Sequence, residues 1–229
     1  MNAVEFGVNV FVALFALVDP IGNVPIFAAA TAGALASQRR QVAAYLTLFI
    51  VAFLTFFFFT GLALLEFFGI SLAAFRIAGG ILLLLLGLDM AREDFLKIFT
   101  DTDPAHDTGD VRGYAKRRFQ RLIVPFAIPL LIGPGAISAV IIQAGEAQRL
   151  GPTGTVAGLV AILAAGLVTM LTFWASGAVS RVLGEVGMAV VVRVLGLILC
   201  ALAIQFIIAG IGEATLGFIT PGVARPYGH

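Results

Sequence analysis

Asp19, Asn23 and Ser138 are polar side chains set in segments otherwise apolar enough to cross a membrane, each beside a proline-glycine interruption. The first interruption reads Asp19-Pro20-Ile21-Gly22-Asn23-Val24-Pro25, and the second reads Pro129-Leu130-Leu131-Ile132-Gly133-Pro134-Gly135. Proline removes a backbone donor, clashes with the carbonyl four residues back and turns its predecessor away from helical angles. About one helical turn should therefore unwind at each motif. A bilayer offers no water to the backbone groups so freed, and such breaks survive only when buried in protein or lining a cavity. The chemistry they can do is recognition of charge. Carbonyls before a break can accept from an ammonium or a cation, and amide hydrogens opening the next half-helix can donate to a carboxylate. Two facing breaks suit a zwitterion.

Asp19 is the one acid expected near mid-membrane, where an ionisable group is a functional-site hypothesis and a candidate carrier of a coupling proton. Asp before Pro is equally a helix N-cap pairing, and both readings stand. Asn23 offers donor and acceptor inside the break, which favours a site role over a purely local turn. The second break has no acid: Gly133-Pro134-Gly135-Ala136-Ile137-Ser138 exposes backbone as it runs into a half-helix, and its small residues permit close approach. The Ser138 hydroxyl bonds either a ligand or a preceding carbonyl of its own helix. The candidate binding set is Asp19, Pro20, Gly22, Asn23 and Pro25 with Gly133, Pro134, Gly135, Ala136 and Ser138. Arg76 and Arg193 are candidates for a gate or ion pair, with snorkelling to the interface as the alternative. Gln205 is expected to bridge helices.

Metal and cofactor chemistry is not expected. The histidines are His106 in a loop and His229 at the end, and Cys200 is the one cysteine. Protease or metal chemistry then lacks a positioned nucleophile and base or a ligand cluster. No nucleotide-binding loop is present. These absences argue against an enzyme, and a net charge of +1 gives no case for nucleic acid as a partner.

The elements that must position these residues are membrane helices. Of 229 residues, 60% are hydrophobic and 12% charged, against roughly 25% charged in soluble domains. Six segments approach the ~20 apolar residues a span needs: Gly7–Ala34, Val42–Leu65, Ile70–Met90, Leu122–Ala144, Gly154–Val179 and Met188–Ile211. The first and fourth contain the breaks. The second, rich in phenylalanine, should face lipid, while Gly154, Gly158, Ala161 and Ala165 should let the fifth approach a neighbour closely. No cleavable signal peptide is evident, since Met1 to Phe6 carry no basic residue.

Lys and Arg set the orientation. Loops one, three and five hold ten, including Arg39, Arg40 and the run Arg112 to Arg121, against two on the other side. The positive-inside rule then places both termini outside. Residues 94–121 read as a hydrophilic cytoplasmic linker between two halves, 1–93 and 122–211, with 212–229 a short external tail. The breaks align at an offset of 109 residues, Pro20 with Pro129 and Pro25 with Pro134, and Arg76-Ile77-Ala78-Gly79 resembles Arg193-Val194-Leu195-Gly196. Three helices per half gives inverted topology, an arrangement used for alternating access. The expected fold is all-α and polytopic: six spans as two inverted three-helix repeats.

The motifs Asp19-Pro20-Ile21-Gly22-Asn23-Val24-Pro25-Ile26-Phe27 and Ile128-Pro129-Leu130-Leu131-Ile132-Gly133-Pro134-Gly135-Ala136-Ile137-Ser138 resemble those of the MarC family of integral membrane proteins, which includes SnatA-type small neutral amino-acid transporters. The resemblance runs over nearly all the chain. It implies a bacterial or archaeal inner-membrane location and, by analogy, glycine, alanine, serine or threonine as the transported partner. A passive channel or an exporter of another small polar solute is the alternative.

Overall fold

A computed structural model of the chain describes residues 2–92 and 111–215. The acidic part of the linker, including His106, and the tail after residue 215 lie outside the described residues.

Helix α1 (Ala3–Val18) starts from a capping box: Asn2 Oδ1 accepts from the Glu5 amide at 2.8 Å, and Glu5 Oε2 accepts from the Asn2 amide at 3.1 Å. It stops at the first break, and a short α2 (Val24–Ala30) follows with Pro25 in its first turn. Helices α3 (Ala36–Phe67) and α4 (Leu72–Ala91) are continuous, and Ser71 caps α4 by accepting from the Ala74 amide at 3.1 Å. After the linker come α5 (Val111–Leu122), a π-helical run Ile123–Leu131, and α6 (Pro134–Arg149). The final helical run, Pro152–Ala214, breaks at Gly184, whose φ of 61° and ψ of −176° only glycine adopts readily. That break divides it into α7 (Pro152–Val179) and α8 (Val186–Ala214).

Four helices among the described residues, α3, α4, α7 and α8, are long and apolar enough to cross a membrane. They coincide with the expected second, third, fifth and sixth spans. The expected first and fourth spans are interrupted at their motifs, as the prolines predict: α1 with α2 makes one, and the π run with α6 makes the other. The linker differs from expectation. Despite Gly113, residues 111–122 form a helix that buries Ala115, Arg118 and Leu122, a spacing of three to four that gives one buried stripe. Phe119 lies against Tyr45 and Phe49 of α3, so this end of the linker is packed rather than solvated.

Lipid is as apolar as leucine, so helices in a bilayer associate through close packing at small residues. The α4–α8 seam follows this rule. Added Cβ atoms would lie 2.8 Å from backbone carbonyl oxygens in each case: at Gly80 from Ala203, at Gly87 from Gly196, and at Gly210 from Ala73. The helices run antiparallel in one register, seven residues forward on α4 answering seven back on α8. On α7, Gly158 receives the Phe58 ring and Ala161 and Ala165 are buried, as the small-residue stripe predicts. Phe173 of α7 is a buried hub: its ring stacks on Phe27 of α2 at 4.4 Å and lies 6.0 Å from Phe126 of the π run. Both interrupted segments thus rest on one side chain.

Candidate functional site

The first break closes on itself. Asp19 ends α1 in the left-handed region, φ 42° and ψ 63°, with its amide donating to Phe15 O at 3.1 Å. Among non-glycine residues Asp is one of the few that tolerates this conformation. Its carboxylate Oδ1 accepts from the Gly22 amide at 3.0 Å, and a Cβ at position 22 would collide with that carboxylate. Asn23 is buried, and its Nδ2 donates at 3.0 Å to both Val18 O and Asp19 O. One side-chain amide thus reaches two carbonyls at the end of α1, and Asp19 O also accepts from the Asn23 backbone amide at 3.1 Å.

Two expectations change here. Asp19 is a C-cap of α1, not an N-cap of the next helix, because the residue that enters α2 is Asn23. Asp19 is exposed, while Pro20 and Pro25 are buried. The carbonyls expected to stand open for a cation are occupied.

The second break opens differently. Pro129 has no amide hydrogen and forces Ile128 to extended angles, φ −124° and ψ 120°. The chain recovers through Ile132, whose amide donates to Ala127 O, five residues back, at 2.9 Å. Gly133 is the N-cap of α6 and Pro134 follows in its first turn; no side chain caps that turn. Ser138, one turn in, is 1% exposed, and its Oγ has no hydrogen-bond partner, so the expected intrahelical bond is absent. Such a group carries a desolvation cost of about 1–3 kcal/mol unless something satisfies it.

The fold brings the breaks together. Leu130, from the second, lines a cavity of about 50 Å³ with Asp19, Gly22 and Asn23, walled by Met90 of α4 and Leu195 of α8. A Cβ at Gly135 would lie 3.3 Å from Leu17 Cδ2, at the end of α1, and 2.5 Å from Phe206 Cζ. Gly79 of α4 packs directly on Pro134. Phe206 also lines a cavity of about 350 Å³, with Leu17, Arg76, Leu202, Gln205 and Ala209. Small-ligand pockets start near 300 Å³, so the larger cavity could hold a small solute and the smaller only water. Leu17 and Leu202 line both. A cleft of about 610 Å³ between α1 and the start of α7 has an almost wholly apolar lining and touches neither break.

Arg76 and Arg193 do not meet. They sit near the starts of two antiparallel helices and hence at opposite ends of the α4–α8 pair. Arg76 forms an ion pair with Glu213 near the end of α8. Gln205 lines the larger cavity. Sequence reasoning missed Leu17, Phe206 and Leu202, apolar residues whose type and spacing carry no signal. It also missed Arg118, which is buried and donates from Nε to Ala30 O at the C-terminus of α2. The alternation of Ala115, Arg118 and Leu122 was its available signal. Among the described residues no group of histidine, cysteine and acidic side chains could hold a metal.

The sequence profile of the family described as MarC family integral membrane protein matches residues 4–215. The UPF0056 membrane protein MJ1677 of Methanocaldococcus jannaschii is 35% identical over 214 residues, covering 93% of this chain and 98% of that one. The UPF0056 membrane protein YvbG of Bacillus subtilis is 34% identical over 210 residues, covering 90% and 94%. No solved structure matches. Both interrupted segments fall within the matched region, and the chain belongs to the MarC family of integral membrane proteins, found in bacteria and archaea.

Proposed function

We propose that this protein is a secondary carrier, not an enzyme, that moves small neutral amino acids of the glycine, alanine, serine and threonine class across the cytoplasmic membrane by alternating access. The observation that carries the reading is the proximity of the two breaks: Leu130 lines one cavity with Asp19 and Asn23, and Leu17 lies beside Gly135. Broken helices facing one another supply carbonyls to one end of a ligand and a helix N-terminus to the other. Asn23 Nδ2 sits between two carbonyls as a donor. A substrate ammonium would take its place there, and its carboxylate would take the opening turn of α6 with the Ser138 hydroxyl as a further donor.

The antiparallel α4–α8 seam supports two inverted three-helix halves, since third helices related by an axis in the membrane plane must cross antiparallel. Charge bias places both termini outside. The 50 Å³ cavity fits a closed arrangement, and displacement of the Leu17–Leu202 wall would join it to the 350 Å³ cavity.

Counterflow in proteoliposomes tests the proposal. Labelled glycine, alanine, serine or threonine should enter saturably and faster when unlabelled substrate is inside. Linear, non-saturating flux would replace the carrier with a passive channel, and no flux of any of the four would remove the substrate class.

A further inference from the structure

Three arginines converge on the last turns of α7, on residues that belong to neither break. Trp174 Nε1 donates to Arg40 O at 3.3 Å, and the Arg40 guanidinium lies 5.9 Å from the Trp174 ring centroid. Arg181 Nε donates to Gly177 O at 3.2 Å. Arg39 packs its guanidinium on Gly177 so closely that any Cβ there would collide with Nη1. Its Nε is buried and has no acceptor.

Among the described residues no ion pair offsets this charge. Arg39 and Arg40 lie just inside the N-terminus of α3, a helix end already carrying partial positive charge, and its first turn holds no acid. No ion pair joins any of the three to a carboxylate among the described residues. Guanidinium forks match phosphate oxygens in planar, bidentate geometry. Apolar neighbours flank the cluster: Leu35 is 50% exposed and Val182 is 85% exposed, beside a tryptophan of the kind that lines membrane interfaces.

We infer that Arg39, Arg40 and Arg181 seat the phosphate of an anionic phospholipid headgroup where α3 begins and α7 ends. The phosphate satisfies Arg39 Nε and draws the three cations together, the tryptophan ring sits at the glycerol level, and Leu35 and Val182 face the upper acyl chains. A free phosphate would meet the same guanidinium groups but would leave both apolar residues uncovered. The site anchors α3 to α7 independently of the carrier reading.

Native mass spectrometry of the full chain, released from detergent with phosphatidylglycerol or phosphatidylcholine added, tests this. Wild type should retain phosphatidylglycerol preferentially. Each arginine near an anionic lipid surface contributes enough that Arg39→Gln should weaken retention about fivefold. The pair Arg40→Gln and Arg181→Gln, both exposed positions that leave folding intact, should weaken it about twenty-fivefold. Arg149→Gln, at an exposed residue that ends α6 before the start of α7, should change nothing. Equal retention of the two lipids by wild type would overturn the inference. So would wild-type preference in the paired variant, or an equal loss in Arg149→Gln. Inorganic phosphate raising the melting temperature as much as phosphatidylglycerol would make it a soluble-anion site instead.

Discussion

The side-chain amide of Asn23 donates to the carbonyl of Val18 at 3.0 Å, closing the end of a broken helix with a residue from the start of the next. Removing it takes that donor from Val18 O, while Asp19 O keeps the backbone amide of residue 23 at 3.1 Å. Asn23→Ala should cost about 1–3 kcal/mol, seen as a lowered melting temperature in detergent. Uptake should fall to the empty-liposome background while the protein remains inserted. Wild-type uptake by this variant would take the first break out of the transport site.

Gly135 lies under Phe206 and Leu17. Gly135→Leu should overfill this contact, destabilise by about 1–3 kcal/mol and abolish uptake. Adding Phe206→Ala creates room on one side, so the double variant should recover part of the lost stability. A double-mutant cycle by thermal unfolding reads the coupling, and strict additivity would show that the two residues do not touch.

The glycines of the α4–α8 seam differ in kind from Gly145. At Gly87 a Cβ would press on the Gly196 carbonyl oxygen, which is backbone and cannot swing away, whereas at Gly145 it would meet nothing within 4 Å. Gly87→Ala should therefore lower stability by about 1–3 kcal/mol. Gly145→Ala, within α6, should raise it by about 0.5–1 kcal/mol through helix propensity alone. Opposite shifts in melting temperature are the check, and shifts of the same sign would refute the seam register.

Phe173 holds Phe27 and Phe126 at once. Phe173→Ala should cost about 3–5 kcal/mol. Protease sensitivity should rise at both breaks together, and cleavage confined to one would show that the hub serves only that segment.

Arg76 and Glu213 pair across the α4–α8 seam with the carboxylate half-exposed. Solvent screening keeps the stability effect of Arg76→Ala within about 1 kcal/mol. Exchanging the charges, Arg76→Glu with Glu213→Arg, should restore any uptake the single variant loses. Failure of the exchange with folding intact would assign Arg76 a contact beyond the pair.

The helices and their breaks were legible because membrane insertion writes them as composition and because proline acts locally. Ile128 turned extended for the reason Pro129 states in the sequence. Family membership was legible from the two motifs. What escaped were contacts between segments distant along the chain. Asn23 was recognised as polar and inside a break, but its role as a substitute ligand for two carbonyls depends on the turn's path. Asp19 was placed at the wrong kind of cap because the pairing with Pro20 looks the same whether the helix is ending or starting. Phe206, Leu17 and Leu202 are ordinary apolar residues until two segments meet them. The charge of residues 111–121 reads as hydrophilic linker, but burial of one stripe against α3 makes the segment a helix.

Arg118 turns the end of the linker into a strut. The helix that carries it leads directly into the second break, and its guanidinium holds the carbonyl terminus of α2, directly beyond the first. The two interrupted segments therefore share a mechanical connection on the hydrophilic side of the protein as well as at Phe173 within it. With two points of attachment, a tilt of either segment strains a contact that the other also bears on.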